Sequence, residues 1–594
     1  MSTMTFNRLP GDAATYTLGD GEGAVMLAKT SPYIAVDIET GSATSERRWN
    51  VKAVAIGTAG RAFVLDPDRD RQAIRDAMQA AGLLVFHGSS YDVPIMVSNG
   101  LMRVSQIHKV FDTVISARMA APGETVPKKL GIACERYLGG DYSYLKTALE
   151  TGFANVTKTR SKSAMFDILG LDSPAYVAYA AFDVVMTARL YDALPAAVVE
   201  RLGDCGPFPS QADRAPHLIR REQVINQMML ARSAKGIAID YDEVDAIQAD
   251  LRNEMAVAGK VLSDAGIDPD DSAVKRVVVD HLDALGLLPG NWPTLKSGLR
   301  TTDKKWVEKV GHPLGEALLA RTQAERFIKD YSTKVLSLAR DGRIHPQVNI
   351  LVATTGRMSY GSPPIQQYPG RVRAMFRAEE PITSFDWSSI EPVYFANLAG
   401  DMALLEEFES GGDLYQPVAD AAGVSRSVAK TILLAALYGQ GIPSLAVRLG
   451  VTVDEARSLN ERVFARMPDI KAMMDKIRNV GKSAGVVPTM SGRVIPLEKD
   501  FRYGGFKGYV GVNAVIQGSA YDLLAEALLS IHEAGLSDAV WFAVHDELVV
   551  STEAADDVQR IMTTPPPDFI EAAGRVPVLR VGRADLGHNW REKN

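Results

Sequence analysis

Two acidic residues stand where the chain reads as apolar strand: Asp386 in PITSFDW and Asp546 in AVWFAVHDELVVS. An uncompensated charge in such a run is expensive. One buried, satisfied aspartate is ordinary. Two, with a cation-bearing helix in the chain between them, are poorly explained as unrelated core residues.

That helix is RSVAKTILLAALYGQG, residues 426 to 441. Counting by fours gives Arg426, Lys430, Leu434 and Tyr438, which form one nearly axial row on a helix. Gly439, Gly441 and Pro443 end it. One reading is a core helix whose long cationic side chains snorkel to water. The other is a graded surface that takes an anion at one end and something flat and apolar at the other. Cations at a helix's head also meet its positive dipole end, which favours an anion. Arg357, Arg371, Arg373 and Arg377 follow one another with no acid until Glu379, as either a solvated loop or a local positive field.

At 594 residues the chain is too long for a single core, and three or four domains are expected. The net charge of −7 speaks weakly against a nucleic-acid partner, although a global sum can hide a local field. Cys134 and Cys205 form no CxxC pair, which argues for a reduced compartment and against a structural zinc site. The N-terminus lacks a signal pattern, and no apolar run approaches the ~20 residues a membrane helix needs. A soluble, cytoplasmic protein without membrane contact is expected. Residues 33 to 66 alternate strand-like runs with turns, and RQAIRDAMQAAG reads as helix. GDCGPFPSQADRAP reads as a linker, followed to about residue 340 by long amphipathic helices.

In AVDIET, Asp37 and Glu39 lie two apart, so a strand points both to one side. Side by side they repel, unless a cation sits between them. Asp92 follows the next strand-like run. The helical AYVAYAAFDVVMTARL sets Tyr179 and Asp183 four apart on one face. The order Asp-x-Glu, Asp, Tyr-x-x-x-Asp resembles the DEDDy exonucleases of the ribonuclease H-like fold. The resemblance implies that Asp37, Glu39, Asp92 and Asp183 hold two divalent metals, with Tyr179 orienting the attacking water. Gly88 stands where such enzymes often carry Asn.

The later motifs resemble family A DNA polymerases, from residue 30 to the end. TTGRMS and PIQQYP resemble the entry to the palm. FDWSSIE resembles motif A, R-x-x-x-K-x-x-x-L-x-x-x-YG motif B, and VHDEL motif C, with NAVIQGSAYDLL as the helix before it. By resemblance, Asp386 and Asp546 bridge two Mg2+ ions, which Mn2+ can replace, with Glu547 as their neighbour. Arg426 and Lys430 neutralise the triphosphate, and Lys430 also assists the leaving pyrophosphate. Leu434 faces sugar and base, and Tyr438 the base-pair end. Glu391 is the steric gate against a ribose 2'-hydroxyl, and Arg371 lies near the triphosphate. Arg357, Asn513, Gln517 and His545 contact the primer–template.

Leu434 replaces the family's usual Phe or Tyr. Pro392 and Val393 replace Leu-Arg, and Tyr415 replaces a histidine. The Leu434 and IEPV combination resembles phage members.

The expected fold is multidomain α/β and α+β. A ribonuclease H-like 3'-5' exonuclease domain occupies 1–205, a linker 206–216, and a helical thumb 217–345. Palm segments at 346–410 and 500–594 flank fingers at 411–499, in a large-fragment layout with no 5'-nuclease domain ahead. The expected function is DNA polymerisation from dNTPs on primer–template DNA with proofreading, in phage genome replication. Helicase, primase and single-strand-binding protein are the expected replisome partners. The alternatives are a gap-filling repair polymerase, or an exonuclease or DNA-binding protein with a disabled polymerase site.

Overall fold

A computed structural model describes residues 3–6, 12–42, 49–123, 129–158 and 162–591. It divides into two compact units. One comprises 1–235, 347–361 and 383–585; the other comprises 236–346, 362–382 and 586–594.

The first unit begins with seven described strands: β1 (Thr3–Thr5), β2 (Thr15–Leu18), β3 (Ile34–Thr40), β4 (Val51–Gly57), β5 (Arg61–Leu65), β6 (Leu84–Phe86) and β7 (Val110–Asp112). They lie in the order β1-β2-β5-β4-β3-β6-β7. β3, β4 and β5 are antiparallel neighbours, and β6 and β7 extend the sheet parallel to β3. Strand alternation sorts this sheet by side-chain size. Ile34, Val36, Ile38, Val54 and Ile56 fill one core, and Ala35, Ala53, Ala55 and Ala62 line the other. Between β6 and β7 comes helix α1 (Ser89–Ser98), and a long helix, α2 (Pro174–Gly203), packs on the alanine face with its own Ala180, Ala181 and Ala188. Small residues on both surfaces permit close approach. Asp37 and Glu39 share the parity of Ala35, so they point toward α2.

Helix α3 (Ala215–Lys235) carries two kinds of contact. On one side Gln223 exchanges hydrogen bonds with the Asp112 backbone (2.8 and 2.9 Å), Gln227 donates to Val110 O (2.8 Å) and Asn226 to Ser89 Oγ (3.1 Å). On the other, the fully buried Arg221 guanidinium donates to Glu222 (2.8 Å), Asp522 (3.1 Å) and Glu526 (2.8 Å). These contacts explain why residues 217–235, expected with the thumb, pack in the first unit.

The second unit contains β8 (Ile237–Ile239), α4 (Tyr241–Asp264), α5 (Pro313–Arg326) and β9 (Arg343–Ile344). Leu262, Leu282, Leu314 and Leu318 form its helical core. Arg371 belongs here and pairs with Glu254 (2.7 Å).

Beyond residue 346 the chain adds a hairpin, β10 (Gln347–Asn349) with β11 (Ser359–Gly361), and then β12 (Phe376–Trp387). β12 crosses the division: Phe376 and Arg377 pair with β8 in the second unit, whereas its end neighbours a later strand in the first. There follow α6 (Ile390–Ala399), α7 (Arg426–Leu437), α8 (Pro468–Ala484), the hairpin β13 (Val486–Pro488) and β14 (Val494–Pro496), and α9 (Gly508–Glu533). A second hairpin, β15 (Val540–Val544) and β16 (Glu547–Ser551), lies beside β12, as does β17 (Val581–Asn589). Among the described residues α9 is the one helix long and apolar enough to cross a membrane, and most of it is buried as a core helix would be.

Asp522 on α9 also accepts from Arg493 Nε (2.7 Å), Ser491 N (3.1 Å) and the Thr489 hydroxyl. Burial opposes its ionisation, but Arg493 and Arg221 outweigh that and hold its carboxyl below the usual range. Removing the cation from a buried ion cluster costs on the order of 3–5 kcal/mol. Arg221→Met should therefore weaken hydrogen-exchange protection in α3 and α9 together. Unchanged protection in α9 would show that the cluster does not hold the two helices.

Candidate catalytic sites

The first site lies where β3 meets α2. One ligand oxygen from each of Asp37, Glu39 and Asp183 falls within 4.8 Å of the others. Residues opposite the first two on β4 are Ala55 and Ala53, which leave space over the strand. Asp92 sits in the first turn of α1, 6% exposed. Burial, then the charges of Asp37, Asp112 and Asp183, push its carboxyl well up. Its helix is aimed by Asp112, which accepts from Gly88 N (3.0 Å), Ser89 N (2.8 Å) and Ser89 Oγ (2.6 Å). Gly88 itself has φ +103°, a backbone conformation that favours glycine. Tyr179 is buried one turn before Asp183 and packs on Phe153 (5.3 Å) and Phe166 (5.9 Å).

Two neighbours escaped the sequence reading. The Tyr176 hydroxyl is buried without a hydrogen-bond partner among the described residues, and burial with the Glu39 and Asp37 charges raises its pKa. Lys52 donates to the carbonyls of Phe166 (2.9 Å), Asp167 (3.3 Å) and Leu169, at the end of a helix, and feels the Glu39 charge. The YVAYAAFD spacing could have flagged Tyr176, seven residues before Asp183. Lys52 had no local signal.

A concentration of carboxylates this dense fits a hard cation coordinated by oxygen. Asp37, Glu39 and Asp183 are the residues brought together within 4.8 Å, and Asp92 lies outside the group, linked to it by the Asp37 and Asp183 charges it feels.

The second site corrects one expectation. Asp546 is not within a strand: His545 and Asp546 form the two-residue turn joining β15 to β16, with Val544 opposite Glu547. Both turn residues are exposed, and His545 has φ +58°. Solvent at the hairpin tip supports the Asp546 charge, so the burial argument applies only to Asp386, half-buried near the end of β12. Glu547 accepts from Ser384 Oγ (2.7 Å). Ser384 and Asp386 share a strand face, which ties Glu547 to the side of β12 that presents Asp386.

Helix α7 bears the row. Ser425 caps its start (Val428 N to Oγ, 3.3 Å). Arg426 and Lys430 are exposed, Leu434 is half-buried, and Tyr438 is exposed at the C-terminal end. Arg426 pairs with Asp413 (2.5 Å), and both cations stand over the Tyr415 ring at 5.4 and 5.6 Å. Burial raises the pKa of Tyr415, whose hydroxyl bonds Ser389. At the far end Tyr438 donates to Glu391 Oε2 (2.5 Å), while Arg357 donates to Glu391 Oε1 (2.7 Å). Burial, then Glu391, raises the Tyr438 phenol, and Asp546 is close enough to add to this. Asn513 and Gln517 lie half-buried one turn apart on α9, and Asn513 Oδ1 is buried without a partner among the described residues. Arg371 falls in the second unit. Asp413, in GGDLYQP, was not anticipated; an Asx turn before a helix was its available signal.

The first site has a stability consequence. A carboxyl with a raised folded-state pKa favours the protonated form, so the metal-free fold loses stability as pH rises through that pKa. Asp92→Asn should raise the metal-free thermal midpoint at pH 8 and diminish the further rise on adding a divalent cation. A variant melting at or below wild type without metal would contradict this.

Residues 272–592 match the model of DNA polymerase family A, and residues 19–198 that of a 3'-5' exonuclease. The chain is 26% identical over 543 residues to the DNA polymerase of Mycobacterium phage L5, covering 88% of this chain and 87% of that one. It is 26% identical over 544 residues to DNA polymerase I of Chloroflexus aurantiacus, covering 85% of this chain and 54% of that one. In fold it is similar to the POL domain of Pol1 from M. smegmatis, solved in complex with DNA primer-template and dNTP. The TM-score is 0.71 at 22% identity, covering 97% of this chain and 98% of that one. The chain belongs to DNA polymerase family A and carries a 3'-5' exonuclease domain, which makes it a DNA-directed DNA polymerase with a nuclease of its own.

Proposed function

We propose that the protein copies a DNA template by adding dNTPs to a primer 3'-hydroxyl and proofreads the product, in the replication of a phage genome. The observation that carries this reading is the row from Arg426 to Tyr438, whose far end is bonded to Glu391. It offers cations for a triphosphate at one end, and at the other a carboxylate held by Arg357 and Tyr438 where a sugar would lie. Similarity to mycobacteriophage DNA polymerases supports the phage setting. In that setting the protein works in the host cytoplasm, with helicase, primase and single-strand-binding protein as partners.

Asp386 and Asp546 would hold the metal, Mg2+ with Mn2+ able to substitute, and Glu547 would orient them through Ser384. Bound divalent metal supplies charge for the attacking and leaving oxygens of phosphoryl transfer. The primer oxygen attacks the α-phosphorus and pyrophosphate leaves. Arg426 would exchange Asp413 for the triphosphate, and Lys430 would donate its proton or its charge to the pyrophosphate. Arg371 would approach the triphosphate as well. Glu391, fixed at both oxygens, would crowd a 2'-hydroxyl. Leu434 would face the nucleotide, and Arg357, Asn513, Gln517 and His545 the primer–template, through contacts that test pairing geometry.

In the nuclease, Asp37, Glu39, Asp92 and Asp183 would hold the metal and Tyr179 would align the water. Residues 1–205 would be the exonuclease, 217–345 the thumb, 346–410 and 500–594 the palm, and 411–499 the fingers. DNA binding should be independent of sequence and weakened by salt.

On a labelled primer–template with Mg2+, wild type should extend with dNTPs and degrade without them. Asp546→Ala should lose extension only, and Asp37→Ala degradation only. A wild type that degrades but never extends would mean a disabled polymerase site. Leu434 generates a second expectation: wild type should use dideoxynucleotides poorly beside Leu434→Tyr. Equal use by the two proteins would remove Leu434 as the discriminating residue.

A further inference from the structure

Between β14 and α9 lies EKDFRYGGFK, residues 498–507, whose two central rings point into solvent: Phe501 is 95% and Tyr503 69% exposed. We propose that this loop is a stacking platform for unpaired template nucleotides ahead of the polymerase site, a reading that rests on the DNA-synthesis function above.

The loop is built rather than loose. Asp500 N donates to Gly505 O and Gly504 N to Asp500 O, both at 2.9 Å, and Lys507 N donates to Glu498 O (2.8 Å). The Asp500 carboxylate accepts from Arg502 N (3.0 Å) and Tyr503 N (3.1 Å). Gly504 and Gly505, at φ +73° and +74°, make the return turn. Phe506 anchors the base against Gly485, where an added Cβ would meet its ring at 2.6 Å. This framework fixes the backbone that presents Phe501 and Tyr503, so less ordering entropy is lost when a ligand stacks on them.

Charge and position choose the occupant. Residues 471–507 carry seven cations outside the core against three carboxylates, in a chain of net charge −7. Asp475 and Glu498 pair with Arg478 (3.2 Å) and Lys507 (2.5 Å), and Asp500 is turned onto the loop backbone. Lys499 and Arg502 remain exposed, with Arg502 5.1 Å over the Tyr503 ring. Rings interleaved with cations suit a single strand, whose bases stack in any sequence and whose phosphates want positive charge. The chain leaving the loop adjoins the site. Tyr509, two residues beyond it, places its carbonyl 3.0 Å from where a Cβ on Gly439 would stand, and Gly439 follows Tyr438 at the base-pair end of the row. The rings of Tyr438 and Tyr509 are also exposed, at 41% and 49%.

The test measures equilibrium binding, by anisotropy and without dNTPs, of primer–templates with a single-nucleotide or a long 5' template overhang. Wild type should prefer the long overhang. Phe501→Ala with Tyr503→Ala should reduce that preference by about thirtyfold or more, in line with stacking lost at two rings. Affinity for the short overhang should stay unchanged, which also reports that the variant is folded, and Phe501→Trp should keep the preference. An equal preference in wild type and the double variant overturns the proposal. A change in sedimentation at unchanged preference overturns it too, in favour of a protein occupant such as a second copy. Primer extension on the short overhang tests the proposed function separately: its failure in wild type would sink that function, while the binding ratio would still decide the loop.

Discussion

A guanidinium with no access to water holds the larger unit together. Arg221 cannot shed its charge, so the surrounding chain must supply anions to it. It does so from its own helix through Glu222, and from α9 through Asp522 and Glu526. Asp522 in turn draws in Arg493 and Thr489 from the β13–β14 hairpin, and Arg493 reaches the carbonyls of Thr355 (3.0 Å) and Gly518 (2.8 Å). Sliding α3 along α9 would strand several buried charges at once. Because the opposite side of α3 is hydrogen-bonded to β7 and to Ser89, that helix joins the nuclease sheet to the core of the polymerase.

The two acidic sites built on this frame differ in their relation to solvent. In the nuclease the carboxylates are crowded between an alanine-faced sheet and helix α2, and Asp92 is driven toward its neutral form. In the proposed reading a divalent cation would relieve that crowding, since oxygen donors suit a hard cation. The polymerase acids occupy a strand end and an exposed turn. Asp546 is exposed there, which in the proposed reading would leave room for a nucleotide on a duplex. Selectivity is then assigned, in the proposed reading, to Glu391, whose two oxygens are each bonded to a different element.

Much of both sites was legible from periodicity. Asp37 and Glu39 share strand parity, Tyr179 and Asp183 share a helix face, and Arg426, Lys430, Leu434 and Tyr438 form the row expected on α7. The turn at His545 and Asp546 was misread as strand, because VHDEL is flanked by apolar residues on both sides and Asp546 is the single turn-forming residue in it. Gly88 remains a departure from the usual Asn, and its positive φ is a conformation that glycine adopts without strain. The helix at 217–235 follows a loop rich in Gly and Pro, and no local pattern shows that its buried polar groups pack within the first unit.

The sequence by itself determined the local geometry: which residues alternate on β3, which stack along α7, where helices begin, and which family the motifs match. These follow from backbone dihedrals that repeat every two or 3.6 residues and need no distant partner. Only the tertiary structure decided that Arg221 answers Asp522, that Glu391 is clasped by Arg357 and Tyr438, and that Arg426 waits on Asp413. The physical reason is that an ion pair depends on a distance through space. Residues from 13 to 301 positions apart in the chain reach that distance only after the apolar faces have packed.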